Sequence, residues 1–447
     1  MKNKPNIVFY FADQQRADTL GCMGQPLDVT PNLDLLAKSG TLFENAFTCQ
    51  PVCGPARACL QTGRYATEVG CHINGIAPPF GKMKMLAEYF NAADYRTAYV
   101  GKWHLATDMY EGLNYETTAI PQERRGGYKD YWMAADVLEF TSHGYNGYVY
   151  NGANEKVPFT GYRADCINNY AVDFVQNQTE EQPFFLFVSQ IEPHHQNDDK
   201  RFEGPFGSKE KFGNFTAPGD LVGTGGDWQE NYPDYLGACH SLDENLGRLV
   251  DALKDKGLWE NTILFYTADH GSHFRTRNTE YKRSCHDASI HIPLLAVGGC
   301  FNTGNRVKSV VSLLDLPTTL LDCAGIAKPE GYAGRSLCKL AQTPAMAWDN
   351  TAFLQISESQ VGRAIRTEQY TYSVRGEEEG FIKEATSDIY YEDFLYDNFA
   401  DPHQRNNLVN DPAFAGIRKE LSLKLADKMR EAHELPYAIK PISARNR

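Results

Sequence analysis

The sequence predicts an α/β protein: a large, mostly parallel central sheet flanked by helices, then a small C-terminal α+β subdomain with a short antiparallel sheet. Three observations predict it. Four apolar runs, Asn6–Ala12, Thr97–Gly101, Pro183–Val188 and Thr262–Ala268, are continuous rather than alternating, as strands buried on both faces require. Helical periodicity lies between them, most clearly over Tyr235–Leu253. From about residue 345 the chain changes to short strand-like segments and one amphipathic helix. The expected division is a main domain at 1–344 and a subdomain at 345–447.

Taken in order, each apolar run delivers ionisable residues at its carboxyl end. Asn6–Ala12 leads to Asp13-Gln14. Next comes Cys53-Gly54-Pro55-Ala56-Arg57, which reads as a helix start. Pro55 suits a first turn, Cys53 sits at the N-cap with backbone N–H groups facing an anion, and Gly63 is the stop. Thr97–Gly101 leads to Lys102-Trp103-His104, and Pro183–Val188 leads through Ser189 and Glu192 to Pro193-His194. The 235–253 helix ends at Lys254-Asp255-Lys256-Gly257, and Thr262–Ala268 then delivers Asp269-His270-Gly271. A further strand-helix unit spans 310–324, with Asp315-Leu316-Pro317 as a helix start. Beyond 345, strands are expected near 352–357, 363–367 and 370–374, and a closing helix over 413–434. Open parallel sheets bind ligands beyond the carboxyl ends of their strands, so the four polar clusters can converge on one site.

Composition narrows the function. A chain of 447 residues can bury a large core, and its net charge of −13 argues against a nucleic-acid-binding surface. No stretch is long and apolar enough for a membrane span or a signal peptide, and the eleven cysteines are scattered without paired spacing. A cytoplasmic location and no membrane partner are therefore expected. Cys49, Cys53 and Cys59 lack the spacing of a zinc knuckle.

The Cys53-x-Pro55-x-Arg57 pentapeptide, with Thr62-Gly63-Arg64 after it, resembles the signature of the type I, formylglycine-dependent sulfatases of the alkaline phosphatase superfamily. The resemblance extends over most of the chain: Asp13-Gln14, Thr30–Ala37, Gly101-Lys102-Trp103-His104-Leu105, Pro193-His194, Ala268-Asp269-His270-Gly271, Lys282 with His286-Asp287, and Leu395-Tyr396-Asp397 with Asn406-Asn407-Leu408. It implies an alkaline-phosphatase-like fold and hydrolysis of an O-sulfate monoester on a carbohydrate or an aryl or steroid alcohol. It implies that a maturation enzyme oxidises Cys53 to formylglycine (3-oxoalanine), whose hydrate has two hydroxyls, one to attack sulfur and one to expel sulfate.

Asp13, Gln14, Asp269 and His270, with an oxygen of modified Cys53, are then the metal ligands. An oxygen-dominated shell suits Ca²⁺ first, while the neutral Gln14 and His270 leave Mn²⁺ or Mg²⁺ open. Arg57 pairs with the hydrate and the metal carboxylates, and Lys102 and Lys282 hold sulfate oxygens. His104 is the base for sulfate release, and His194, favoured over the adjacent His195 by the Pro193-His194 match, serves the leaving alcohol. Asn74 and His286 are expected to face substrate. Two long segments without regular periodicity, 107–165 and 196–231, are read as lids or interface arms, leaving a homo-oligomer open. The rival activity is a phosphonate monoester or phosphodiester hydrolase of the same superfamily. A homologue that binds metal without catalysis is disfavoured, because no expected catalytic position is missing.

Overall fold

The computed structural model describes residues 4–378, 380–434 and 437–444. Strand β1 (Asn6–Ala12) is buried along its whole length. Helix α1 (Pro31–Ser39), opened by a proline that has no N–H to leave unsatisfied, leads to β2 (Thr41–Phe47). Helices α2 (Cys53–Thr62) and α3 (Leu86–Ala92) precede β3 (Arg96–Lys102). A run of short strands follows: β4 (Tyr131–Ala135), β5 (Ser142–His143), β6 (Asn146–Asn151) and β7 (Lys156–Thr160). Helix α4 (Arg163–Gln176) connects to β8 (Phe184–Ser189). After a short α5 (Ser208–Phe212), the 28-residue α6 (Trp228–Asp255) buries Leu242, Leu246, Leu249 and Leu253 on one stripe and leads to β9 (Thr262–Ala268). The main body closes with α7 (Asp287–Ile290), β10 (Leu294–Val297), β11 (Arg306–Ser312), α8 (Asp315–Cys323) and α9 (Cys338–Gln342).

These strands form an eleven-stranded sheet whose main path runs β11-β2-β10-β9-β1-β8-β3-β4-β6-β5, with β7 on β6. The middle of that path, β9-β1-β8-β3-β4, is parallel throughout. Antiparallel pairs, β10 on one side and β6 on the other, flank it. The segment 107–165 is therefore not structureless. It extends the sheet, but its strands are short and of mixed exposure, so no clean alternation marks them in the sequence. Segment 196–231 stays irregular apart from α5 and the first turn of α6.

The second sheet joins β12 (Thr351–Ile356), β13 (Gly362–Thr367), β14 (Tyr370–Arg375) and β15 (Ile389–Asp397) in an antiparallel meander. Helix α10 (Ala415–Glu431) buries Leu421, Leu425 and Met429 against Phe353, Ile365 and Tyr372. Strand β16 (Ala438–Lys440) adds in parallel to β15. Phe47, Ile290 and Val310 of the main body share an apolar cluster with Ala352, Leu354 and Ala364, so the small sheet is packed onto the large one. We propose residue 345 as the boundary, since the chain leaves α9 at Gln342 and enters β12 at Thr351.

Packing also fixes the strand ends. Trp103, fully buried, meets Tyr99, Tyr128 and Trp132 at ring-centroid distances of 5.0, 5.9 and 5.7 Å. Its neighbours Lys102 and His104 are thereby set by a rigid aromatic anchor. Trp103→Ala is expected to cost about 3–5 kcal/mol of stability, read as a lower midpoint in chemical denaturation.

Candidate active site

Ala12 and Ala268 are register partners, so Asp13 and Asp269 leave neighbouring parallel strands side by side. β8 lies on the other side of β1 and β3 lies beyond it, bringing Ser189–His194 and Lys102–His104 to the same edge. The four apolar runs read from the sequence are thus four consecutive strands. At this edge Gly101 (φ 99°) passes so close to β8 that a Cβ would lie 1.9 Å from the Ser189 carbonyl oxygen, which only glycine tolerates. Gln14 (φ 69°) and His104 (φ 61°) are also left-handed, at a cost of about 1–3 kcal/mol each. Asp269 Oδ1 accepts the Gln14 N–H at 3.0 Å, and the Asp136 carbonyl accepts the His104 N–H at 2.6 Å.

Asp13, Cys53, Asp269 and His270 are buried, and their ligand atoms lie within 4.8 Å of one another. The set fits a divalent cation. Asp269 Oδ2 is buried with no hydrogen-bond partner among the described residues. His270 Nδ1 lies 2.9 Å from the Gly271 carbonyl, which places its proton there and turns the bare Nε2 lone pair toward Cys53 Sγ, 3.1 Å away. Burial and then the charge of Lys282 hold that imidazole neutral, as a ligand must be. Burial and the Asp13 charge push the Asp269 carboxyl upward, a strain that a dication relieves. Gln14 Nε2 donates to Ser272 Oγ at 3.2 Å, which fixes its amide at the cavity floor.

Cys53 opens α2 and lies at its first helical position. The N-cap is Val52, one residue earlier than expected, and Pro55 falls within the first turn. The Gly54 N–H, a donor that a helix start leaves free, is taken by Asn74 Oδ1 at 2.9 Å. Gly63 ends the helix at φ 67°. One turn after Cys53, Arg57 donates to Asp13 Oδ2 at 3.0 Å, to the Lys102 carbonyl at 2.9 Å and to Ser189 Oγ at 2.6 Å. Lys102 Nζ donates to Asp13 Oδ2 at 2.7 Å. Burial works to raise the Asp13 carboxyl, but Lys102, Arg57 and Lys282 overcome it and hold the carboxyl well below the usual range. Lys282 Nζ lies 2.8 Å from Cys53 Sγ and 3.1 Å from His194 Nε2.

A cavity of ≈ 410 Å³ opens above this group, lined by Gln14, Cys53, Asn74, Lys102, His104, His194 and Lys282. Asp13, Asp269 and His270 lie fully buried beneath it.

Residues 5–326 match the Sulfatase family model, and residues 279–431 match the model for the C-terminal region of N-sulphoglucosamine sulphohydrolase. The chain belongs to the sulfatase family. It is 32% identical to an ulvan-active sulfatase of Formosa agariphila, over 96% of this chain and 81% of that one. An N-acetylglucosamine-6-O-sulfatase of Bacteroides thetaiotaomicron is 24% identical over 96% of this chain and 87% of its own. A crystal structure assigned as the sulfatase yidJ of Bacteroides fragilis superposes with a TM-score of 0.83 at 25% identity, covering 97% of each chain. The chain is accordingly a sulfuric ester hydrolase with an alkaline-phosphatase-like fold.

Three features of the sulfatase's site escape sequence reading. The second sheet reaches it: Glu358, buried in the turn just after β12, accepts the Asn74 N–H at 2.7 Å and pairs with Arg283. Tyr281, beside Lys282, sets its hydroxyl 2.9 Å from His195 Nε2 and 2.5 Å from Asp227 Oδ2, and both Tyr281 and His195 line the cavity. Phe140 and Met109, 54% and 45% exposed, form an apolar part of its lining. Adjacency to Lys282 and His194 was the available signal for Tyr281 and His195. His286 requires correction. It does not line the cavity but is buried beside Phe394, with Nε2 3.0 Å from the Tyr396 hydroxyl. The tyrosine comes from β15 over 100 positions away, so no local pattern signalled it. His273 is likewise structural, its Nε2 3.0 Å from the Lys282 carbonyl.

Proposed function

We propose that this sulfatase releases inorganic sulfate from an O-sulfated saccharide, with Cys53 matured to formylglycine and Ca²⁺ held by Asp13, Gln14, Asp269 and His270. The observation that carries it is the position of Cys53 Sγ: candidate metal ligands on one side, 3.1–3.3 Å away, and Lys282 2.8 Å away on the other. A plain thiol there is a poor nucleophile, because burial and then the Asp13 charge push it up to about 12. Matured Cys53 supplies the two hydroxyls of an aldehyde hydrate, one for attack on sulfur and one for sulfate release, and the metal supplies positive charge to the attacking oxygen and the sulfate.

The chain's own residues prepare the rest. Arg57 ties Asp13 to the β3 and β8 strand ends and so orients the carboxylates. Burial works to lower Lys102, yet Asp13 outweighs it, so a fixed cation stands at the cavity floor beside Lys282. Asn74 spends Oδ1 on the helix and leaves its amide N–H₂ for a sulfate oxygen. Burial and then Lys102 keep His104 neutral, fit to accept a proton during sulfate release. Burial and then Lys282 keep His194 neutral as well, and with its Nε2 3.1 Å from Lys282 Nζ the pair stands at the cavity wall, where charge develops on the leaving oxygen.

A saccharide is favoured by the ulvan-active and N-acetylglucosamine-6-O-sulfatase relatives and by a lining that mixes Tyr281 and Phe140 with polar groups. Ca²⁺ is favoured by the carboxylate and amide donors, and maturation requires a formylglycine-generating enzyme as partner. The test is a panel of sulfated monosaccharides and uronates against matched aryl sulfates. Turnover confined to aryl sulfates would sink the saccharide assignment. His194→Ala is expected to lower kcat/KM roughly 100-fold on sugar sulfates but less than about tenfold on an activated aryl sulfate, whose phenol leaves unaided. Equal losses on both would remove His194 from that role.

A further inference from the structure

We propose that Cys300, Cys323 and Cys338 form a second metal site, a three-thiolate cradle for Zn²⁺. Cys300 lies on the Gly299–Phe301 turn, Cys323 is the last residue of α8, and Cys338 is the first residue of α9. Three separate elements thus bring their sulfurs within 4.8 Å of one another, each cysteine half-buried. The Cys323 and Cys338 sulfurs stand 3.7 Å apart, far beyond a disulfide bond. Two sulfurs bound tetrahedrally to zinc at about 2.3 Å would be separated by about 3.8 Å. The existing spacing is therefore the edge of a zinc tetrahedron, with the partly exposed side open to water as fourth ligand.

The chemistry selects the ion. Three thiolates without a carboxylate among the ligating atoms suit a thiolate-seeking ion and not the hard cation proposed for the oxygen-rich site. Binding releases the thiol protons to solvent, so affinity falls as pH drops.

The cradle lies far from the sulfate site. Gly298, just before the turn, abuts the Thr262 carbonyl at the amino end of β9, whereas Asp269 follows its carboxyl end. A seven-residue strand separates the two ends by about 20 Å. The role assigned to the ion is to clip the β10–β11 turn to α8 and α9.

The reduced, metal-stripped full chain is titrated with Cd²⁺ while thiolate-to-metal charge-transfer absorption is followed. A band of three-thiolate intensity should saturate at one equivalent. It should vanish in the triple variant Cys300→Ser, Cys323→Ser, Cys338→Ser, whose sulfatase turnover, assayed with Ca²⁺ restored, should be retained. Cys338→Ser alone, half-exposed and gentler on the fold, should weaken Cd²⁺ binding roughly 100-fold or more, beyond what loss of an outer partner costs. A native chain without that band, a variant band unchanged, or a Cys323–Cys338 disulfide in freshly isolated protein would overturn the assignment.

Discussion

Cys53→Ala is expected to lower kcat/KM by at least roughly 10⁴-fold, about 5–6 kcal/mol of transition-state stabilisation. The reasoning starts from what stays behind. Lys102, Lys282, His194 and Asn74 still face the cavity, and the Asp13–Asp269–His270 group is untouched, so substrate still has its anion-binding contacts. Loss of the attacking atom alone should therefore fall on kcat, with KM shifted little. The fold should survive, since alanine fits a helix first turn and Cys53 is not among the residues of the main hydrophobic core. Steady-state kinetics beside a melting curve checks both halves. A variant with kcat within tenfold of the native value would mean that another group attacks sulfur.

Asp269→Ala is expected to abolish metal binding and lower kcat by roughly 10³-fold or more, about 4 kcal/mol. Asp269 does two jobs at once: Oδ1 accepts the N–H groups of Gln14 and His270 at 3.0 and 2.9 Å, and Oδ2, 3.5 Å from Arg57 Nη2, is buried without a hydrogen-bond partner among the described residues. Alanine removes a ligand and also frees the left-handed Gln14 and the His270 backbone that it pinned. Asp269→Asn keeps acceptor geometry but loses charge and should fall between. Gln14→Ala removes a neutral donor and should cost only about tenfold, within the range of outer-partner losses. Chelation of the native enzyme should reproduce the Asp269→Ala loss, and Ca²⁺ should restore it. Full turnover by protein shown metal-free by elemental analysis would contradict the metal assignment.

The large sheet and the site edge were legible because buried parallel strands write themselves as continuous apolar runs. β9 coincides with its run, and β1 likewise, so Asp13 and Asp269 could be set at the same sheet edge, whereas the pairing of β1 with β9 that puts them side by side is a long-range contact that no run carries. The helix after Cys53 was legible from Pro55 and Gly63, although its start lies one residue before the expected first turn. β2 was not, since Glu44 and Asn45 interrupt its apolar pattern, and β10 is only four residues long. β4 and β5 were hidden by short length, and β6 and β7 by short length and mixed exposure. The Glu358–Asn74 contact joins positions 284 apart, and no local pattern carries a link of that kind. The same holds for His286: its neighbour Lys282 reaches Cys53, while four residues on the chain has turned toward β15.

The most direct measurement is peptide mass spectrometry on active enzyme, made in cells that carry the maturation enzyme. Trypsin should yield residues 39–57, which contain both Cys49 and Cys53. The account predicts that Cys53 has lost one sulfur and two hydrogens and gained one oxygen, while Cys49 in the same peptide remains a thiol open to alkylation. It also predicts that specific activity rises in proportion to the converted fraction. Full sulfatase activity from a preparation in which Cys53 is entirely an unmodified thiol would contradict it.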